Sequence, residues 1–168
     1  MMKFTTKTTL TPDGTTRLLM LPDWSTFQLD TVVPELEELY ARGRLLADTI
    51  ANIAEPTFDD IVPAFEEIDS AIACVSGPLH HLKNTMMKAY PGIQEVQKQV
   101  TTLGTNYSSD LAFHEGLYTA YKRVQQRADF ATLSDEKKYL IVHTIKDFEL
   151  AGVSLSQDKK AILKALRE

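Results

Sequence analysis

Three groups of side chains in this 168-residue chain have the types needed for metal or acid–base chemistry. His80 and His81 are adjacent, and on a helix neighbouring side chains diverge by about 100°, so the two do not face one ligand. They read as a satisfied or half-exposed pair rather than a zinc site. His114-Glu115 opens like His-Glu-x-x-His, in which histidines at i and i+4 share a helix face and the glutamate activates a metal-bound water. The position four after His114 is Tyr118, so the second ligand is missing. Asp59, Asp60, Glu66, Glu67 and Asp69 have the carboxylate density of a di-iron bundle. Such sites require inward-facing Glu-x-x-His pairs, and no glutamate here stands three residues before a histidine. The acids read instead as a solvated helix face. Tyr107, Phe113, Tyr118 and Tyr121 lie at helical spacing and read as core before ligand box. No phosphate loop, serine elbow or nucleotide fingerprint is present. The chain itself is therefore expected to hold no catalytic, cofactor-binding or metal-ligating residue.

The elements that would carry these groups are helices. From Phe58 to Leu82 the apolar residues Phe58, Ile61, Phe65, Ile68, Ile72, Val75, Leu79 and Leu82 step by three and four, a single stripe for neighbouring helices. Thr57 with Asp60 forms a capping box behind Pro56. An earlier helix, from after Asp30 to about Ala54, repeats the spacing through Leu36, Leu39, Gly43, Leu46, Ile50 and Ile53, with Pro34 harmless in its first turn. Gly43 in that seam either admits a close neighbour or is merely tolerated, at about 1 kcal/mol of helix propensity. Glu55-Pro56-Thr57 is so short that the two helices must lie antiparallel.

Gly77-Pro78 predicts a kink or break in the second helix, and Tyr90-Pro91-Gly92 a turn. From Ile93 the pattern Val96, Val100, Leu103, Tyr107, Leu111, Leu117, Tyr121, Val124 gives either one helix of about 36 residues, near 54 Å long, or two parts bending at Ser108-Ser109. A further helix starts at Ser134 and runs through Tyr139, Val142, Ile145 and Phe148 to a Gly152 stop. Before all of these, the threonine-rich residues 3–21 form either a hairpin, Phe4–Leu10 against Thr15–Met20 around Pro12-Asp13-Gly14, or a mobile tail. Trp24 then reads as a packing anchor. The expected fold is all-α: an antiparallel bundle of four to six helices, with that short N-terminal element. Residues 1–21 form an extension and 22–168 one helical domain. A last helix capped by Ser156 reaches Glu168 in mid-pattern, which suggests a domain cut at its C-terminal end.

Hydrophobic content of 43% and charged content of 24% are ordinary for a globular domain. A net charge of −5 without a basic stripe argues against nucleic-acid binding. No stretch approaches the roughly 20 apolar residues of a membrane span. Lys3 and Lys7 precede threonines rather than the apolar core of a secretory signal. The single cysteine, Cys74, can form no internal disulfide, and a reducing, cytoplasmic setting is expected.

One run is more specific than any periodicity: Phe113-His114-Glu115-Gly116-Leu117-Tyr118-Thr119-Ala120-Tyr121. It is followed by Phe130-Ala131-Thr132-Leu133-Ser134 and by Lys146-Asp147-Phe148-Glu149-Leu150-Ala151-Gly152-Val153-Ser154-Leu155. With Val32-Val33-Pro34, Thr57-Phe58 and Pro78-Leu79-His80-His81-Leu82 before it, the chain from about Leu21 to Leu155 resembles the N-terminal region of oligopeptidase A, of the thimet oligopeptidase family of zinc metallopeptidases. The resemblance implies a large helical enzyme with two lobes around a channel that admits short peptides. Zinc would sit in the catalytic lobe, on a His-Glu-x-x-His helix and a downstream glutamate. Neither has a counterpart here, so no cofactor is implied for this chain, whose partners would be the catalytic lobe and peptide substrates. The threonine-rich start departs from the family pattern. A different class of reading is a stand-alone helical interaction module without activity. A severed domain should expose an apolar patch and self-associate, whereas a module should be a well-behaved monomer or defined dimer.

Overall fold

A computed structural model describes residues 3–10, 16–156, 158–160 and 162–163. The body is an all-α bundle whose spine is a helical hairpin, α1 (Val32–Ala51) and α2 (Phe58–Thr85). Thr57 caps α2 as the sequence predicts: its hydroxyl accepts from the Asp60 N–H, and the Asp60 carboxylate accepts from the Thr57 N–H at 2.8 Å. The Thr57 hydroxyl also donates to that carboxylate at 2.6 Å, and this bond, with the one from the Thr57 N–H, holds the Asp60 carboxyl below its usual range. Every residue of the predicted stripe from Phe58 to Leu82 is buried or half-buried.

Two apolar cores lie along the spine. The start of α1 and the end of α2 meet through Leu36, Tyr40, Leu79 and Leu82, and α3 (Ile93–Ala112) closes this core with Ile93, Val100 and Tyr107. The end of α1 and the start of α2 meet through Ala47, Ile50, Ile61 and Val62. There α4 (Glu115–Gln126) and α5 (Asp135–Ala151) close the core with Leu117, Tyr121, Ile141 and Phe148. This pairing makes α1 and α2 antiparallel. Leu111 packs against both cores. Fully burying one such leucine or isoleucine stabilises by about 2 kcal/mol.

Gly43 answers its own question. A Cβ there would stand 2.2 Å from the Tyr107 hydroxyl, so the glycine is what lets α3 lie on α1. The arrangement is reciprocal, because the Tyr40 hydroxyl lies 3.2 Å from where a Cβ of Gly104 would be. The two tyrosine rings pack at 4.7 Å between the two glycines.

Four local readings differ from the structure. α1 stops at Ala51, three residues short of the expected end. α2 runs through Gly77-Pro78 without the break that was one of the two alternatives there. Pro78 forfeits one backbone bond, but Pro78, Leu79 and Leu82 are all buried, and that packing overrides the local preference. The run after Ile93 is two helices, as one alternative allowed, but the boundary is Phe113-His114 rather than Ser108-Ser109. In α5 the buried row is Ile141, Ile145 and Phe148, while Tyr139 and Val142 are 65% and 42% exposed. The expected row advanced by threes, and nine residues at about 100° each put Tyr139 half a turn away from Phe148.

α5 itself begins and ends as predicted. Ser134 accepts from the Lys137 N–H, and Gly152 takes a left-handed φ of 97°. The N-terminal segment is a hairpin, β1 (Phe4–Leu10) antiparallel to β2 (Thr16–Pro22), with Thr8 opposite Leu18. Thr15 and the Pro12-Asp13-Gly14 turn lie outside the described residues. Asp23 N–H donates to the Lys3 carbonyl and Lys3 N–H to the Thr26 hydroxyl, tying the hairpin's base to the turn that enters α1. Beyond Gly152, residues 158–160 and 162–163 are helical, and Lys160 N–H donates to the Ser156 carbonyl.

Candidate functional site

The histidines and acids singled out by the sequence are not brought together. His80 meets the Gln97 side-chain amide at 2.9 Å, while the His81 ring packs 5.1 Å from Trp24. Trp24 is an anchor of that kind, 40% exposed and set on α2. Asp59 pairs with Lys137 at 2.9 Å, and Asp60 is occupied by the cap. Glu66 and Glu67 face solvent.

His114 is the N-cap of α4. Its Nδ1 accepts from the Leu117 N–H at 3.0 Å, and its Nε2 meets Asp48 of α1 at 3.0 Å. An accepting Nδ1 requires the proton on Nε2, which therefore donates to the aspartate. Gly116 follows because a Cβ there would meet Ala51 at 2.6 Å, so the cap sits where α4 crosses the end of α1. Glu115 reaches the opposite way and pairs with the buried Lys160. Hydrogen bonding to that ammonium holds its carboxyl below the usual range. The run Phe113 to Tyr121 thus builds a helix junction.

A zinc site needs several such side chains converging on one point. Both ring nitrogens of His114 are engaged, His80 and His81 diverge, and among the described residues no three His, Cys, Asp or Glu side chains converge. The described residues do not fit a zinc ion.

What the helices do build is an open trough of about 420 Å³ where α2, α3, α4 and α5 meet. Phe65 of α2, Leu111 of α3, Leu117 and Tyr121 of α4 and Phe148 of α5 supply its apolar walls. Asp69 of α2 and Asp147 of α5 supply its carboxylates. The apolar wall partly desolvates Asp69 and raises its pKa. Tyr121 is pushed up to about 12, first by burial and then by the charge of Asp69. Tyr107 is likewise pushed up to about 12 by burial and Asp69, against the opposing pull of Arg44.

Past Thr144 and Asp147, which line both, a second hollow of about 500 Å³ continues along α5 between Glu136, Tyr139 and His143. The sequence reading placed Asp69 on a solvated face and Asp147 in no site at all. The available signal was Asp69 lying four residues after Phe65 on the edge of the buried stripe. At the other end of the α1–α2 loop a polar recess holds Arg123 and Arg127. Arg123 donates to the Ile53 carbonyl, and Arg127 to both oxygens of Asp129 and to the Glu55 carbonyl.

Among the described residues no helix is long and apolar enough to cross a membrane. The family model for the neurolysin/thimet oligopeptidase N-terminal domain matches residues 33–160, from the second residue of α1 through α5. Oligopeptidase A of Salmonella typhimurium is 28% identical over 141 residues, covering 83% of this chain and 20% of that protein. Oligopeptidase A of Escherichia coli matches at the same identity and coverage. That of Haemophilus influenzae is 26% identical over 140 residues, again 83% of this chain and 20% of the relative. The chain spans about a fifth of the length of these relatives. With this match over most of its length, from α1 through α5, the chain belongs to the neurolysin/thimet oligopeptidase N-terminal domain family.

Proposed function

We propose that this chain is the noncatalytic N-terminal helical domain of an oligopeptidase-A-like zinc metallopeptidase of the cytoplasm. In this reading residues 22–168 form part of one wall of a channel that selects short peptides by size, and residues 1–21 are an extension. A catalytic lobe on the same protein supplies zinc, its His-Glu-x-x-His helix and the hydrolysis of the peptide bond. The observation that carries the reading is the family match over residues 33–160, with the aligned residues covering 20% of the relatives' length. It is supported by His114, the nearest approach to a zinc ligand, whose two nitrogens serve a helix cap and an interhelix contact. Val142 at 42% and Leu150 at 72% exposure on the outer side of α5 are apolar surface that a neighbouring part of a lobe would cover.

The test is to read the natural reading frame past codon 168. A frame that continues and encodes His-Glu-x-x-His supports the proposal. A stop codon directly after Glu168 overturns it and leaves a stand-alone interaction module. The purified 168-residue chain should cleave no peptide, and a chelator-sensitive peptidase activity in it would equally overturn the reading.

A further inference from the structure

The trough between α2, α4 and α5 has a chemistry of its own, complete within this chain and needing nothing from a catalytic lobe. Its volume, about 420 Å³, falls within the roughly 300–1,000 Å³ typical of ligand sites. Its walls are large apolar side chains from four helices, so it can desolvate an aromatic or aliphatic group. The charges on its lining are all of one sign: Asp69 and Asp147 here, then Asp135 and Glu136 in the adjoining hollow, with no lysine or arginine lining either. Asp135 is already shared with Lys138, at 3.6 Å, and Glu136 with the N-cap of its own helix. Asp69 and Asp147 are the carboxylates left at the apolar trough, and Asp147 stands between the two hollows.

A carboxylate on a partly desolvated apolar rim attracts a cation more strongly than one in open water, since less solvent screens the pair. Because the trough continues along α5 into a second hollow, its ligand extends beyond a single side chain.

We propose that this trough is a binding site for a peptide segment carrying a lysine or arginine next to a large apolar residue. The apolar side chain rests between Phe65, Leu117 and Phe148, and the cation lies between Asp69 and Asp147. This is an accessory site that reads charge and bulk, and no bond is made or broken in it.

The experiment is a heteronuclear NMR titration of the full 168-residue chain with two blocked dipeptides, acetyl-Phe-Arg-amide and acetyl-Phe-Glu-amide. The basic peptide should shift amides of α2, α4 and α5 around the trough and saturate. The acidic one should bind at least about ten-fold more weakly. Each of Asp69→Asn and Asp147→Asn should weaken the basic peptide about three-fold and the pair about ten-fold, as expected for two rim charges. Both residues are exposed, so the variants keep the fold, which their unchanged spectra away from the trough will show. Added salt should weaken the basic peptide and leave the acidic one little changed. Equal affinity for the two peptides, indifference to the double substitution, shifts confined to other surfaces, or no saturable binding would each overturn the inference. None of these outcomes bears on whether the reading frame encodes a zinc helix, so the two proposals fail separately.

Discussion

Replacing Gly43 with alanine tests the packing of α3 on α1 at its tightest point. In an exposed helix the change would stabilise by about 1 kcal/mol through helix propensity. Here the new methyl would lie 2.2 Å from the Tyr107 hydroxyl and 2.8 Å from two carbons of its ring, closer than real Cβ contacts come. The ring has little freedom to move: it is 6% exposed, packs 4.7 Å from Tyr40 and lies under the Arg44 guanidinium at 5.6 Å. The helices must therefore part by several tenths of an ångström, an overpacking that costs about 1–3 kcal/mol.

The net loss for Gly43→Ala is then up to about 2 kcal/mol, a fall in Tm of up to roughly 6 °C for a chain of this size. Tyr107→Phe removes a buried hydroxyl that has no hydrogen-bond partner, and should be neutral or slightly stabilising. The double variant should recover part of the loss, because the oxygen is gone while the ring carbons remain. The assay is chemical denaturation of the four proteins as a double-mutant cycle, with a coupling of about 1 kcal/mol expected. A Gly43→Ala protein more stable than the parent, or strict additivity in the cycle, would refute this account of the glycine.

Three further predictions follow from single contacts. His114→Ala removes the α4 cap and should lower stability by about 1 kcal/mol in denaturant midpoints, whereas His114→Asn, itself a good cap, should keep most of it. Tyr107 and Tyr121 ionise near 12 in the folded chain and near 10 once unfolded, so the folded state binds more protons between those values. Stability should accordingly fall as pH rises from about 10 towards 12, and phenolate absorbance should show Tyr107 and Tyr121 titrating late, together with alkaline unfolding. Glu115 has the opposite sign: its folded pKa lies below the free value, so the Lys160 contact stabilises above the ordinary carboxylate range and is lost as pH falls through the folded pKa. Lys160→Met should flatten the acid limb of a midpoint-versus-pH profile, and an unchanged limb would contradict the pairing.

Helix existence was legible because burial in this fold follows spacing. The stripe from Phe58 to Leu82, the Thr57 cap and the Ser134 and Gly152 boundaries each rest on contacts within a few residues. What was not legible depends on neighbours distant in sequence. Pro78 stays helical because α1 and α3 hold its turn, and a histidine caps α4 because Asp48, 66 residues away, holds its other nitrogen. The inner face of α5 was misread because Tyr139 and Val142 are as apolar as the residues it buries, so polarity alone did not choose the side. Asp69 is exposed, as its place among the helix-face acids predicts, but the apolar wall beside it comes from the packing of α4 and α5 and is not in its spacing.

The trough and the His114 cap are linked by geometry. The apolar pattern from Ile93 to Val124 is continuous enough to have served one long helix, and such a helix would have kept a single path beside α1. Instead α3 ends at Ala112, Phe113 and His114 take two residues to turn, and α4 restarts against the end of α1. Leu111 and Ala112 are left on one bank of the junction and Leu117 and Tyr121 on the other, and these are wall residues of the trough. α5 covers the far side with Phe148 without filling the space between, so the opening follows from where α3 stops. A run that begins like a zinc helix thus does its work as a corner, and the corner makes the hollow in which the chain's apolar and acidic groups meet.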